Sequence, residues 1–350
     1  MNNGIRKKVY VGMSGGVDSS VSAALLKEQG YDVTGVFIKV WQPDFIECTW
    51  KEDRLDAMRV AGMLEIPFIT LDLEKEYKNG VIDYMISEYK AGRTPNPDVM
   101  CNKQVKFGAF LDWAKAEGAD YIATGHYSQI VQDESGMHLA KSADGNKDQT
   151  YFLWTLTSEV LKNVLFPVGG MTKEEVRAYA EKVNLSVSKK KDSQGLCFVG
   201  NIDLKTLLKN YIEEKKGDVK NEEGEIIGHH NGAIFYTIGE RHGFTITKKT
   251  TEDKPYFVIG KDMATNSIIV SSGKRIKSEN IIYVEDVHFT KSVKKGEVYE
   301  ARARYRAPLA KVEVINKNTF KVLDGDLGET PGQSLVLYKE SICIGGGIIK

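Results

Sequence analysis

Residues 9–26, VYVGMSGGVDSSVSAALL, constrain this chain more than any other segment. An apolar run ends at Gly12, a short loop follows, and a helix-forming stretch opens at Val17. Gly15 and Gly16 let the backbone come close to a bound group and reach conformations closed to other residues. The hydroxyls of Ser14, Ser19 and Ser20 and the N–H groups that open the helix converge on one place, where the helix dipole favours negative charge. A phosphate group fits that place. Asp18 is out of keeping with an anion site unless a cation offsets it. Mg²⁺ shared between the carboxylate and phosphate oxygens would do so. The string has neither G-x-x-x-x-G-K-[ST] nor G-x-G-x-x-G, which excludes the two commonest nucleotide loops. A tight Gly-Gly turn with a Ser/Asp helix cap is the structural alternative, and the strand–loop–helix context argues against it.

The first 130 residues repeat this alternation. KKVYVGM, DVTGVFIKVW, PFITLDL and ADYIATGH read as strands. Residues 17–29, 52–65, 74–89 and 105–117 read as helices, as does 173–183 further on. The pattern predicts a parallel sheet covered on both faces, with ligands at the carboxyl ends of its strands. Residues 204–213 read as one more helix. Beyond Gly217, glycine and β-branched residues dominate short strands such as GEIIGHHNGAIFYTIG and NSIIVSSG. From about Asn280, EVYEARARYR, KVEVI, TFKVLD and SLVLYK read as a small antiparallel barrel or sandwich. The expected fold class is α/β followed by β, in three domains: 1–205 catalytic, 206–278 small and β-rich, 279–350 a β-barrel.

The chain has 350 residues, 41% of them hydrophobic, enough for several cores. No apolar run approaches the ~18 residues of a membrane helix, and MNNGIRKKVYVGM lacks the shape of a signal peptide. The expected compartment is therefore the cytoplasm, with no membrane partner. Net charge is zero, yet residues 274–321 hold 12 Lys/Arg against 6 Asp/Glu, an excess of about +6 that suits either an anionic partner or a solvated β surface. Arg302, Arg304 and Arg306 alternate, so on a regular strand they share one face, with Tyr305 on the other. All could then reach RNA only at a bend or strand end.

Cys48, Cys101, Cys197 and Cys343 form no C-x-x-C pair, so a zinc site is not expected; nor is one at His229 and His230. In AGRTPNPDVMCNKQVKF, Pro95 and Pro97 stiffen a loop, and Asp98 and Cys101 precede a helix. A thiol there favours the thiolate, and Asp98 can serve as acid or base. Alternatively Asp98 caps the helix and Cys101 fills the core. In VSKKKDSQGLCFVG, Cys197 follows three lysines, which again favours thiolate, or lies buried in a strand. Cys48 and Cys343 read as structural. His126 either lines the site or orients a loop.

The string S-G-G-V-D-S resembles the pyrophosphatase loop of the ATP pyrophosphatases, which split ATP to AMP and pyrophosphate. With AGRTPNPDVMCNK, ATGHY, NKDQTYFLW, KKKDSQGLCF, ARYR, TPGQS and GGGII, the chain resembles the tRNA-specific 2-thiouridylase family over nearly its full length. That resemblance implies ATP and Mg²⁺ as cofactors and replacement of the C2 oxygen of a wobble uridine by sulfur. It makes Cys197 the persulfide carrier and Cys101 its later disulfide partner, with Asp98 as acid/base. It assigns Gly12, Met13, Ser14, Gly15, Gly16, Val17, Asp18, Ser19, Ile38 and Gly125 to ATP. It assigns Asn96, Pro97, Asp98, Lys147, Asp148, Gln149, Arg304 and Tyr305 to tRNA. The implied partners are tRNA acceptors for Glu, Gln and Lys and a persulfide donor, either a cysteine desulfurase or a relay protein; the implied state is a monomer. A Cys101–Cys197 disulfide demands Cα atoms within about 7 Å. The sequence departs from the family in KVWQPDFIECTWKED, which replaces a more acidic loop, and in TKKTTEDK, where a glycine pair is usual. A ligase using the same loop, like argininosuccinate synthetase, and a non-catalytic tRNA-binding or sulfur-carrier protein are the other readings.

Overall fold

The computed structural model describes residues 6–45, 50–191, 204–248, 254–272, 280–325 and 327–350. Cys48 and Cys197 lie outside the described residues.

Five parallel strands form the first sheet: β1 (Lys8–Gly12), β2 (Asp32–Lys39), β3 (Phe68–Asp72), β4 (Tyr121–Ala123) and β7 (Val164–Leu165). Their order is β3-β2-β1-β4-β7. In β1, Val9, Tyr10 and Val11 are all buried, as expected of a strand covered on both faces. Helices α1 (Val17–Glu28), α2 (Trp50–Met63) and Lys173–Lys182 enclose one core, built around Val9, Val11, Val21 and Val176. The helical runs 74–90 and 97–116 cover the other face around Tyr10, Tyr77, Val105 and Phe110. The chain runs outward from β1 to β3 and then returns to the other side of β1 at β4. The switch point therefore lies between the carboxyl ends of β1 and β4, where open α/β sheets bind ligands.

Two departures from the sequence-based expectation stand out. The helix expected from Val105 begins at Pro97, with Asn96 as its N-cap accepting a bond from the Val99 N–H at 3.3 Å. Asp98 and Cys101 are thus inside it, and its middle, Cys101–Ala109, winds in wider π-helical turns. The second departure is a hairpin, β5 (Gln129–Asp133) and β6 (Gly136–Ala140), which leaves the first domain's sheet altogether.

The middle segment forms a separate sheet from Gly217–Lys220, Ile226–His230, Thr245–Ile246, Phe257–Asp262 and Ser267–Ser271, around Val219, Ile268 and Val270. The last six strands, Ile281–Phe289, Val298–Arg302, Ala310–Asn316, Thr319–Val322, Ser334–Lys339 and Ile342–Ile349, close into an antiparallel barrel. Closure comes from pairing of Ile281–Phe289 with Ile342–Ile349. The hairpin β5–β6 adds to this barrel by pairing Leu139 with Cys343 and Ala140 with Ile342. No helix among the described residues is long and apolar enough to cross a membrane.

Candidate active site

The loop after β1 is held by its own hydroxyls. The Ser14 N–H donates to Ser19 Oγ at 3.2 Å, Ser19 Oγ to the Gly16 carbonyl at 3.2 Å, and Ser20 Oγ to the same carbonyl at 2.8 Å. Gly15 has φ +76°, and a Cβ there would lie 2.2 Å from the Asp53 carbonyl oxygen on α2. Gly125, just past β4, faces the opening of α1; a Cβ there would lie 2.6 Å from the Ser19 nitrogen. Gly12 packs beside Phe110 and Thr124, and the Met13 N–H bonds to the Val36 carbonyl at 2.8 Å. Val17 and Ile38 are buried in the flanking cores. The loop, Gly125 and the open helix end therefore converge on the switch point.

Asp18 finds its counter-charge inside the protein. Lys173 Nζ lies 2.7 and 2.9 Å from its two carboxylate oxygens, and the Tyr127 hydroxyl donates to one of them at 2.8 Å. The cation invoked from the sequence is not needed to explain this carboxylate. Among the described residues no group of three or more His, Cys, Asp or Glu could hold a metal ion. Any Mg²⁺ at Asp18 would share its carboxylate with Lys173 and take its other ligands from phosphate oxygens and water. Lys173 and Tyr127 were missed from the sequence. The one signal for Lys173 was the string T-K-E-E, whose Thr172 and Glu175 form a capping box that fixes Lys173 as the first residue of its helix.

Beside Gly125, His126 is buried, with Nδ1 2.7 Å from Thr124 Oγ1 and Nε2 3.4 Å from Lys106 Nζ. Burial, and secondarily the Lys106 charge, hold its pKa well below 6.5. It orients its neighbours as a neutral ring.

Cys101 is fully buried in the helix that starts at Pro97. Phe110 on the same helical run packs beside Gly12 at the end of β1, and Cys101 opens the π-helical stretch that precedes it. Between this helix and the barrel is a cleft of ≈ 460 Å³ lined by Asn96, Val99, Met100, Lys103, His288 and Ser334, among others. The preceding strap is gripped from the barrel: Gln333 Nε2 donates to the Thr94 and Pro95 carbonyls at 2.8 and 3.1 Å.

The remaining expected tRNA residues divide. Lys147 and Gln149 are half-buried, and Gln149 Oε1 accepts from the Tyr127 N–H at 2.8 Å. Asp148 is buried and bonded to Thr150 Oγ1 at 3.0 and 2.9 Å, which is a structural role. The arginine row does not share one face, because its strand ends at Arg302. Arg302 points inward, 4.0 Å from Asp148. Arg304 donates to the Ile238 carbonyl at 3.0 Å, in a turn of the middle segment, and to Thr330 Oγ1 at 2.6 Å. Arg306 turns outward at φ +58° and lies over the Tyr305 ring, which packs 4.5 Å from Phe152. Tyr305 is thus on a turn just past the strand end.

Three family models match in succession: a tRNA methyl transferase HUP domain over residues 7–201, a tRNA methyl transferase PRC-barrel domain over 205–272 and an aminomethyltransferase β-barrel domain over 279–349. A tRNA-specific 2-thiouridylase MnmA of Enterococcus faecalis is 46% identical over 362 residues, covering 100% of this chain and 96% of its own. One from Streptococcus agalactiae serotype Ia is 48% identical over 359 residues, covering 99% and 96%. A solved U34-tRNA thiolase NcsA from Methanococcus maripaludis is a distant likeness, with a TM-score of 0.37 and 19% identity over 59% of this chain and 64% of its own.

Proposed function

This chain belongs to the tRNA-specific 2-thiouridylase family of tRNA sulfurtransferases, and from that premise we propose that it replaces the C2 oxygen of a tRNA wobble uridine by sulfur at the expense of ATP. The observation that carries the reading is near-half identity along the whole chain, combined with a glycine loop at the switch point of a parallel sheet. The methyl transferase wording of the matching family models weighs less than thiouridylase relatives of this identity.

ATP is the first substrate. Its pyrophosphate half sits on the N–H groups of Ser14–Ser19 at the opening of α1, with Gly125 closing the other side. The uridine O2 attacks the α-phosphorus, the O2–P bond forms, pyrophosphate leaves, and the N3 proton passes to a base, the role of Asp98. The outer sulfur of a persulfide on Cys197 then attacks C2, and AMP departs with the former O2. Cys101 attacks the Cys197 sulfur next to the transferred atom, which frees 2-thiouridine and leaves a Cys101–Cys197 disulfide. An external thiol reduces it, and a cysteine desulfurase or relay protein reloads Cys197. Asn96–Asp98, Lys147, Gln149, Arg304 and Tyr305 meet the tRNA, with the buried Asp148 holding the loop between Lys147 and Gln149, and the target base leaves its stack to reach Cys101. Mg²⁺ arrives on the ATP phosphates. The three segments 1–205, 206–278 and 279–350 act as one monomeric body in the cytoplasm.

The test is mass analysis of tRNA nucleosides after incubation with ATP, Mg²⁺ and a persulfide donor. A gain of one sulfur per target uridine is expected, lost in Cys101→Ser and Cys197→Ser. Full activity in both serine variants would instead favour a ligase that borrows only the loop.

A further inference from the structure

We propose that Lys190 is a positioning residue of the ATP site: its ammonium bridges Asp53 and Asp56 on α2, and so fixes and neutralises the helix turn that backs Gly15. The inference rests on the ATP reading above and deepens it at a residue outside the loop.

Lys190 Nζ lies 2.8 Å from Asp53 Oδ1 and 2.7 Å from Asp56 Oδ2. The two carboxylates stand at i and i+3 on α2, so one face of the helix offers both to a single ammonium. Burial works against the Lys190 charge, but the bonds to Asp53 and Asp56 hold its pKa above the ordinary lysine value. The backbone under the lysine is held as well. Arg177 donates to the Ser188 carbonyl at 3.0 Å and, through both terminal nitrogens, to the Lys190 carbonyl at 3.1 Å. Arg177 stands about one turn past Lys173, which grips Asp18. The helix Lys173–Lys182 therefore anchors both the opening of α1 and the chain at Lys190.

Asp53 is where this arrangement meets the loop. A Cβ on Gly15 would lie 2.2 Å from the Asp53 carbonyl oxygen and 3.0 Å from its α-carbon, so the first turn of α2 is the wall behind the Gly15 turn. The Asp53 carboxyl carbon is two bonds from that α-carbon, which puts its charge inside the screening length of about 8 Å from the loop. Left bare, that charge opposes a phosphate chain on the loop. Asp56 has a second cation, Arg59 Nη1 at 3.1 Å, whereas the Asp53 carboxylate bonds to Lys190 alone among the described residues. Lys190 thus offsets the one carboxylate that α2 brings against Gly15 and keeps α2 in register with the turn. It is also the middle lysine of the run Lys189–Lys191. Its charge is committed to α2 rather than to a thiol at Cys197.

The experiment uses the full chain with tRNA and a persulfide donor, and follows AMP release and thiolation as ATP is varied. Lys190→Met should raise the KM for ATP about tenfold, with kcat at saturating ATP within about threefold of the parent. Lys190→Arg, whose guanidinium also bridges two carboxylates, should keep the KM within about threefold. Adding Asp53→Asn to Lys190→Met removes the bare charge and should bring the KM back by at least about threefold, although the bridge itself stays broken. Wild-type AMP release with an unaltered KM for ATP in Lys190→Met overturns the assignment alone, as does a raised KM that Asp53→Asn leaves where it is. A loss confined to thiolation, with AMP release intact, also overturns it and returns the lysine to Cys197. A wild-type enzyme that thiolates without making AMP overturns the ATP reading and this proposal together.

Discussion

At Gly15 and Gly125 the requirement for glycine is geometric. Gly15 needs φ +76°, and its side-chain direction is blocked by the Asp53 backbone; Gly125 is blocked by the Ser19 and Asp18 backbone. Alanine at either position must displace α2 or the start of α1. A shift of about 1 Å in phosphate-contacting groups costs on the order of 10²-fold in rate. Gly15→Ala and Gly125→Ala should therefore lose AMP release by about that factor while keeping the circular dichroism spectrum of the parent. Gly170 serves as the control, since a Cβ there meets nothing within 4 Å. Gly170→Ala should change unfolding free energy by less than about 0.5 kcal/mol. Equal AMP release by all three variants and the parent would remove the geometric argument for the loop.

At the scale of elements, what could be read depended on how local the cause was. The parallel strands and their helices were legible because apolar runs such as VYV in β1 and ITL in β3 carry their own signal. The helix start at Pro97 was missed although Asn96 and Pro97 are an N-cap and a first-turn proline; two prolines so close together read equally well as a loop. The hairpin β5–β6 was missed because its partner strand is Ile342–Ile349, some two hundred residues away, and no local pattern encodes that. The strand–loop–helix form around Ser14–Ser19 was legible, whereas the Lys173 partner of Asp18 was not, since that contact spans 155 positions. The capping box at Thr172 makes that long contact depend on a local feature. Thr172 Oγ1 accepts from the Glu175 N–H at 3.2 Å, and Glu175 accepts in return from the Thr172 N–H at 2.7 Å. Thr172→Ala should cost about 1 kcal/mol in urea unfolding and raise the KM for ATP, because Lys173 is the first residue the cap fixes. A stability loss with an unchanged KM would separate the cap from the loop.

At the scale of the whole molecule, the three sheets are tied through buried polar groups. The Tyr151 hydroxyl meets the Ala303 and Ser334 carbonyls at 3.0 and 3.1 Å, Trp154 Nε1 donates to Ser334 Oγ at 2.9 Å, and Arg304 reaches the Ile238 turn of the middle segment. Three histidines held low by burial belong to different parts of this assembly, His126, His230 and, in barrel strand Ile281–Phe289, His288. His126 sits at the switch point, and His230 in the middle sheet accepts the Gly232 N–H on Nδ1 at 2.8 Å. Burial lowers all three pKa values below 6.5. The unfolded chain therefore binds protons that the folded chain refuses as pH falls through 6.5. Stability is full above that pH and declines below it, with a slope of up to about 1.4 kcal/mol per pH unit for each histidine until its folded pKa is reached. The exposed carboxylates with lowered pKa, Asp120, Asp133, Asp262, Glu159 and Glu297, act later. Their contribution is present above the ordinary carboxylate range and is lost only as pH drops through it. Urea unfolding at pH 7.5, 6.5 and 5.5 should thus show a loss concentrated in the last interval, before carboxylates titrate. His230→Phe should flatten part of that slope without touching AMP release at pH 7.5. A parent profile that stays level to pH 5.5 would mean that these rings are protonated in the folded state, and the reading of His126 as a neutral ring would fall with it.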